Sequence, residues 1–80
     1  QQIMSKSLAQ RLAAFLLKES RLEGSQALKL THEKIANHMG TAREVVTRML
    51  RYFQDEGVVS LSRGTVSILD AEKLLKMQDS

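Results

Sequence analysis

Residues 30–53 read LTHEKIANHMGTAREVVTRMLRYF, and the periodicity of this stretch predicts two short helices joined by a tight turn. Thr31 has the character of an N-cap, with Leu30 and Ile35 placed at the N′ and N4 positions of a hydrophobic staple. Ile35, Ala36 and Met39 then share one helical face. Gly40 stands where the first helix must stop in a left-handed backbone conformation. Directly after it, Thr41-Ala42-Arg43-Glu44 has the spacing of a capping box, so a second helix is expected with almost no linker. Helices joined so closely must cross steeply, as in a helix-turn-helix, and small Ala36 suits the crossing.

The second helix divides into two faces. At about 100° per residue, Val46, Met49, Leu50 and Phe53 occupy an arc of about 100°, while Arg43, Glu44, Thr47, Arg48 and Arg51 spread over about 140° on the other side. One face is therefore core. The other is a basic ridge rich in hydrogen-bonding groups.

Working outward, the 80-residue chain is one small domain that must use every apolar face to make a core. Its formal net charge of +3 permits a nucleic-acid partner without demanding one. With no cysteine, disulfides and thiolate metal sites are excluded, in keeping with a reducing cytosol, and a cytoplasmic location is expected. No apolar run has the length of a membrane span and no signal peptide is visible, so no membrane partner is expected. The chain begins at Gln1 rather than methionine, which reads as a fragment or a processed chain lacking an N-terminal region.

In chain order, residues 1–5 are polar and expected to fray. A core helix is expected over about residues 6–20, with Leu8, Leu12, Phe15 and Leu16 on its stripe, Ala9, Ala13 and Leu17 widening it, and Lys6, Gln10, Arg11 and Lys18 nearer solvent. Glu23-Gly24-Ser25 punctuates the chain. Leu28 and Leu30 alternate with Ala27 and Lys29, suggesting a very short strand ahead of Thr31. Gly57 supplies the stop after the second helix of the pair. From about residue 58 to 69 the period changes to 2, giving a hairpin with Arg63-Gly64 at its tip. Its turn reads as type I with Gly64 in a G1 bulge, or as type I′. Asp70 then caps a last short helix whose Leu74, Leu75 and Met77 can dock on the domain, and residues 78–80 are expected to fray.

The fold class that results is mainly α with a small β-hairpin, a winged helix-turn-helix filling residues 1–80, with the helix-turn-helix at about 31–54 and the wing at about 58–69. The chain resembles the DNA-binding domain of the Crp/Fnr superfamily of bacterial transcription regulators. The resemblance is carried by RLAAFLL at 11–17, LTHEKIANHMGTAREVVTRML at 30–50, EGVVSLSRGTVSILD at 56–70 and KLL at 73–75. The central block is the specific part.

The resemblance implies sequence-specific binding to double-stranded DNA, with a recognition helix over about residues 42–54 in the major groove. Arg43, Glu44 and Arg48 match positions that face base edges, and Thr47 occupies a position that varies between very small and hydroxyl residues. The chemistry agrees for the charged residues: arginine can donate twice to guanine O6 and N7, and glutamate can accept from cytosine N4–H₂. Thr47 is assigned to base readout with them. Thr31, Thr41 and Arg63 match places that approach the phosphate backbone. Arg51, more peripheral, is assigned to the backbone, with an i, i+4 pair to Asp55 as its alternative. Glu44 likewise has a second reading, as the far side of the capping box.

Ala42 and Val45 depart from the serine and threonine commonly found there, which removes some expected backbone contacts. The family's sensory β-barrel and long dimerisation helix do not fit before Leu8. The resemblance therefore implies an effector bound by a missing sensor domain and no cofactor in this chain. It also implies a homodimer in the full-length protein with a monomeric fragment, and it allows for RNA polymerase as a partner of the full-length protein.

His32 and His38 stand at i, i+6 on different helical faces with no cysteine nearby, so no metal site is expected. No nucleophile-elbow or glycine-rich phosphate motif appears, and no enzymatic activity is expected. The four methionines read as core filler. The competing function is a winged-helix protein-interaction module without DNA binding. Against it, Tyr52 is the one aromatic near a ridge that such a surface would centre on aromatic anchors.

Overall fold

A computed structural model describes residues 7–79; the expected frayed start, with Met4 and Lys6, lies outside those residues. The elements run α1 (Leu8–Glu23), β1 (Ala27–Leu28), α2 (His32–Met39), α3 (Arg43–Asp55), β2 (Val59–Ser62), β3 (Thr65–Ile68) and α4 (Ala71–Asp79). This is the expected winged helix-turn-helix, mostly helical with one small antiparallel sheet.

The boundaries follow from local chemistry. Ser7 and Gln10 form a reciprocal capping box, the Gln10 N–H donating to Ser7 Oγ at 3.1 Å and the Ser7 N–H to Gln10 Oε1 at 2.8 Å. Helix α1 runs to Glu23, beyond the expected Ser20, because its stop is Gly24, whose backbone is left-handed. The last helix also outruns expectation, holding its helical form through Asp79. Asp70 begins it as foreseen, accepting from the Lys73 N–H at 3.0 Å.

Between α2 and α3 the sequence expectation is half met. Thr31 caps α2, its hydroxyl oxygen accepting from the Lys34 N–H at 3.1 Å. Gly40 ends α2 at φ 70°, and the next amide, that of Thr41, donates back to Ala36 O at 3.0 Å, the closure of a Schellman motif. This commits Thr41 to the end of α2. The N-cap of α3 is consequently Ala42, with no side-chain cap, and the capping box expected from Thr41 and Glu44 does not form.

The sheet has the order β1-β3-β2, all neighbours antiparallel. Strand β1 is thus more than a lead-in to Thr31: Leu28 lies opposite Val66, and the Ile68 N–H donates to Gln26 O at 2.8 Å. In the hairpin, the register runs unbroken from Val59↔Ile68 to Ser62↔Thr65. Only Gly64 of the two turn residues has a positive φ. That sign pattern belongs to a type II turn and replaces both expected forms, since type I′ needs positive φ at Arg63 as well and the unbroken register has no bulge.

One core joins these elements. Leu12, Ala13 and Leu16 of α1, Leu28 of β1, Ile35 and Ala36 of α2, Val46, Leu50 and Phe53 of α3, Val66 and Ile68 of β3 and Leu74 of α4 are all buried. Burying each larger side chain of this kind contributes about 1.5–3 kcal/mol. Met49 and Met77 pack at the margin. Leu75, expected to dock with Leu74, is instead 48% exposed, because the residue beside a buried one on a helix points about 100° away from it.

A candidate nucleic-acid interface

Helix α3 presents its two faces as its periodicity requires. Val46, Leu50 and Phe53 face the core, whereas Arg43, Glu44, Arg48 and Arg51 are exposed and Thr47 is half-buried. Across from this outer face stand the start of α2 and the tip of the hairpin. Between the three lies a groove of about 470 Å³ lined by Thr31, His32, Glu33, Arg43, Thr47, Arg51 and the hairpin residues Leu61 to Gly64. A second hollow, of about 580 Å³, is lined by Arg43, Glu44, Thr47, Arg48 and Arg51. The two share three residues. Together they hold every residue assigned to DNA from the sequence except Thr41.

The hairpin is tied to α3 by a bond that the sequence did not announce. Leu69 and Val58 are hydrogen bonded across the hairpin at 2.8 Å, so by the alternation of an antiparallel ladder Leu61 turns its N–H to the free side of edge strand β2. Gln54 Oε1, at the last turn of α3, accepts that N–H at 3.0 Å. Arg63 is thereby carried on a strand fixed to the helix that bears Arg43 and Arg51. From the other side, Lys73 of α4 donates to Glu56 O at 2.9 Å and pairs with its carboxylate at 3.4 Å.

His32 also belongs to this surface. Its Nδ1 lies 2.9 Å from Thr47 Oγ1, joining the first turn of α2 to the middle of α3. Partial burial, then the nearby Arg43 and Arg51 guanidiniums, lower its pKa from the usual 6.5. His38 sits elsewhere, its ring 4.4 Å from that of Phe15. Among the described residues no cluster of histidine, cysteine or carboxylate side chains is arranged to hold a metal ion, and no ion pair joins Arg51 to Asp55.

At its N-terminus α3 offers the first amides of a 13-residue helix with no side-chain acceptor from Ala42. Such a terminus carries a partial positive charge and free donors, both suited to an anion. The arrangement is thus a basic helix face, a helix N-terminus and a cationic hairpin tip on one side of the molecule.

A family model described as the Crp-like helix-turn-helix domain matches residues 10–77. The chain belongs to that family. The Crp-like domain is 30% identical over 86 residues to the transcriptional regulator SdrP of Thermus thermophilus, a match covering 100% of this chain and 43% of that protein. It is 39% identical over 64 residues to the cyclic AMP receptor protein of the same organism, covering 80% of this chain and 30% of the relative. Among solved structures, a Crp/Fnr-family transcriptional regulator from Eubacterium rectale superposes with a TM-score of 0.92 at 60% identity, over 94% of this chain and 35% of the other. The chain therefore spans less than half the length of each of these proteins. SdrP and the Eubacterium rectale protein are named as regulators of transcription.

Proposed function

We propose that this Crp-like domain binds double-stranded DNA sequence-specifically to regulate transcription, with α3 in the major groove and the β2–β3 hairpin beside it on the backbone. The observation that carries this reading is the single groove in which Arg43, Thr47 and Arg51 of α3 meet Thr31 of α2 and Arg63 of the hairpin. A major groove about 12 Å wide admits a helix, and its base edges present acceptors that arginine pairs with bidentately. Arg43, Glu44, Thr47 and Arg48 are assigned to base edges. Thr31, Thr41, Arg51 and Arg63 are assigned to phosphates, which fix register and orientation.

In a longer protein of the kind the relatives represent, two copies of the domain would dimerise and read half-sites about one helical turn apart. An effector would act through a region outside this chain, and the protein would work in the cytoplasm, where RNA polymerase is available as a partner. The protein-interaction reading has less support: half-exposed Tyr52 lines neither hollow on the ridge.

Selection of bound sequences from random duplex DNA, at two salt concentrations and with Arg43→Ala alongside, tests the proposal. Recovery of a short guanine-containing motif that the variant loses is the expected result. Binding without any motif, vanishing as salt rises, would reduce the interaction to nonspecific charge attraction and sink it.

A further inference from the structure

We propose that His32 is a positioning residue which decides whether Thr47 offers the duplex a hydrogen-bond acceptor or a donor. The inference rests on the major-groove reading of α3 given above. Its starting point is the bond between His32 Nδ1 and Thr47 Oγ1 at 2.9 Å. That nitrogen is the one partner of the Thr47 hydroxyl among the described residues.

A threonine hydroxyl has one hydrogen to give and two lone pairs to receive. When the imidazole is neutral with its proton on Nε2, Nδ1 is an acceptor and takes the hydroxyl hydrogen. Thr47 is then left with lone pairs alone, which suit adenine N6–H₂ or cytosine N4–H₂. When the ring is protonated, Nδ1–H must donate to Oγ1. The hydroxyl hydrogen is released and suits guanine O6 or N7, or thymine O4. One proton on α2 thus reverses the polarity of a group on α3.

The charges around the ring set the direction of coupling to DNA. Arg43 and Arg51 of α3, Arg63 of the hairpin and Glu33 of α2 line the groove with His32. In the free protein partial burial first, and then arginines that outnumber the single carboxylate, favour the neutral ring, in keeping with its lowered pKa. Phosphates entering the groove oppose those cations and favour the charged ring, so the pKa in the complex lies above that of the free protein. Affinity therefore rises as pH falls through the bound-state pKa and levels off below the free-state one. Uptake of at most one proton limits the rise to about tenfold per pH unit.

Two measurements test the proposal separately from the DNA reading. Imidazole nitrogen NMR of the free domain between about pH 5 and pH 8 reports the tautomer. An unprotonated Nδ1 at the upper end, altered by Thr47→Val, is expected; a proton on Nδ1 there overturns the proposal whatever the DNA does. Sequence selection at both ends of that range is then made with the wild type, His32→Asn, His32→Ala and Thr47→Val. The wild type should change its preference at one base pair and bind several-fold tighter at the lower pH. His32→Asn keeps a hydrogen-bonding group near Nδ1 but does not titrate, so it should hold one preference at both values, while His32→Ala relaxes that base pair. Thr47→Val should lose the change of preference and keep the change of affinity. A wild type that selects the same motif with the same affinity at both pH values overturns the proposal while leaving the DNA reading intact. A wild type that selects no motif removes both.

Discussion

Thr31 and Thr41 carry the same hydroxyl and precede successive helices, yet only Thr31 caps one. Thr31→Ala should therefore lower stability by about 1 kcal/mol, read from denaturant unfolding, whereas Thr41→Ala should leave it within about 0.5 kcal/mol. Equal losses at the two positions would contradict the assigned caps. The first cap was legible because nothing competes for Thr31. The second was misread because Gly40 draws the Thr41 amide back to Ala36, a competition that spacing alone does not show. On the face proposed to meet DNA, Arg43→Ala should weaken binding by about 1–3 kcal/mol and relax base preference, while Arg63→Ala should weaken all sequences alike and reduce the salt slope by about one. Titrations of cognate and scrambled duplexes at several salt concentrations distinguish the two. The outward arginines could be read from helical period. The tie between His32 and Thr47 could not, since it joins separate helices through a turn whose geometry the sequence does not print.

At the scale of elements, the hairpin announced itself by the change to a period of 2, and α3 by its divided faces. Strand β1 was legible only as a very short strand ahead of Thr31, and its pairing with β3 was not legible at all, because two residues establish no period and their partners lie far along the chain. The bond from Leu61 N–H to Gln54 was equally hidden. It makes the wing a fixed attachment of α3. Gln54→Ala should cost about 0.5–1.5 kcal/mol of stability. It should also reduce the contribution of Arg63 to binding, so that Arg63→Ala in the Gln54→Ala background loses less affinity than in the wild type. A double-mutant cycle measures this, and full additivity would show that the wing is held by other means.

For the molecule as a whole, the apolar stripes read from the sequence converge on one core, and no polar side chain is buried among the described residues. That convergence was legible because each stripe needs a partner and an 80-residue chain has only one interior to offer. Phe53 is the largest of its fully buried side chains and belongs to the helix that bears the basic ridge. Phe53→Ala should cost about 3–5 kcal/mol, a large part of the roughly 5–15 kcal/mol that holds a domain folded. Thermal unfolding should show a markedly lower midpoint, and a shift no larger than that of a surface variant would contradict the packing.

Strand β3 has neighbours on both sides, and those neighbours come from opposite ends of the helix-turn-helix: β1 before it and β2 after it. The chain leaves the sheet, builds its two helices and returns beside the same strand. Drawing either helix away strains that seam, so α2 and α3 are expected to open to solvent together with the sheet, as a single cooperative unit. The amide proton of Ile68, held by Gln26 across the seam, then becomes a reporter of global opening, exchanging with deuterium at the pace of the whole domain.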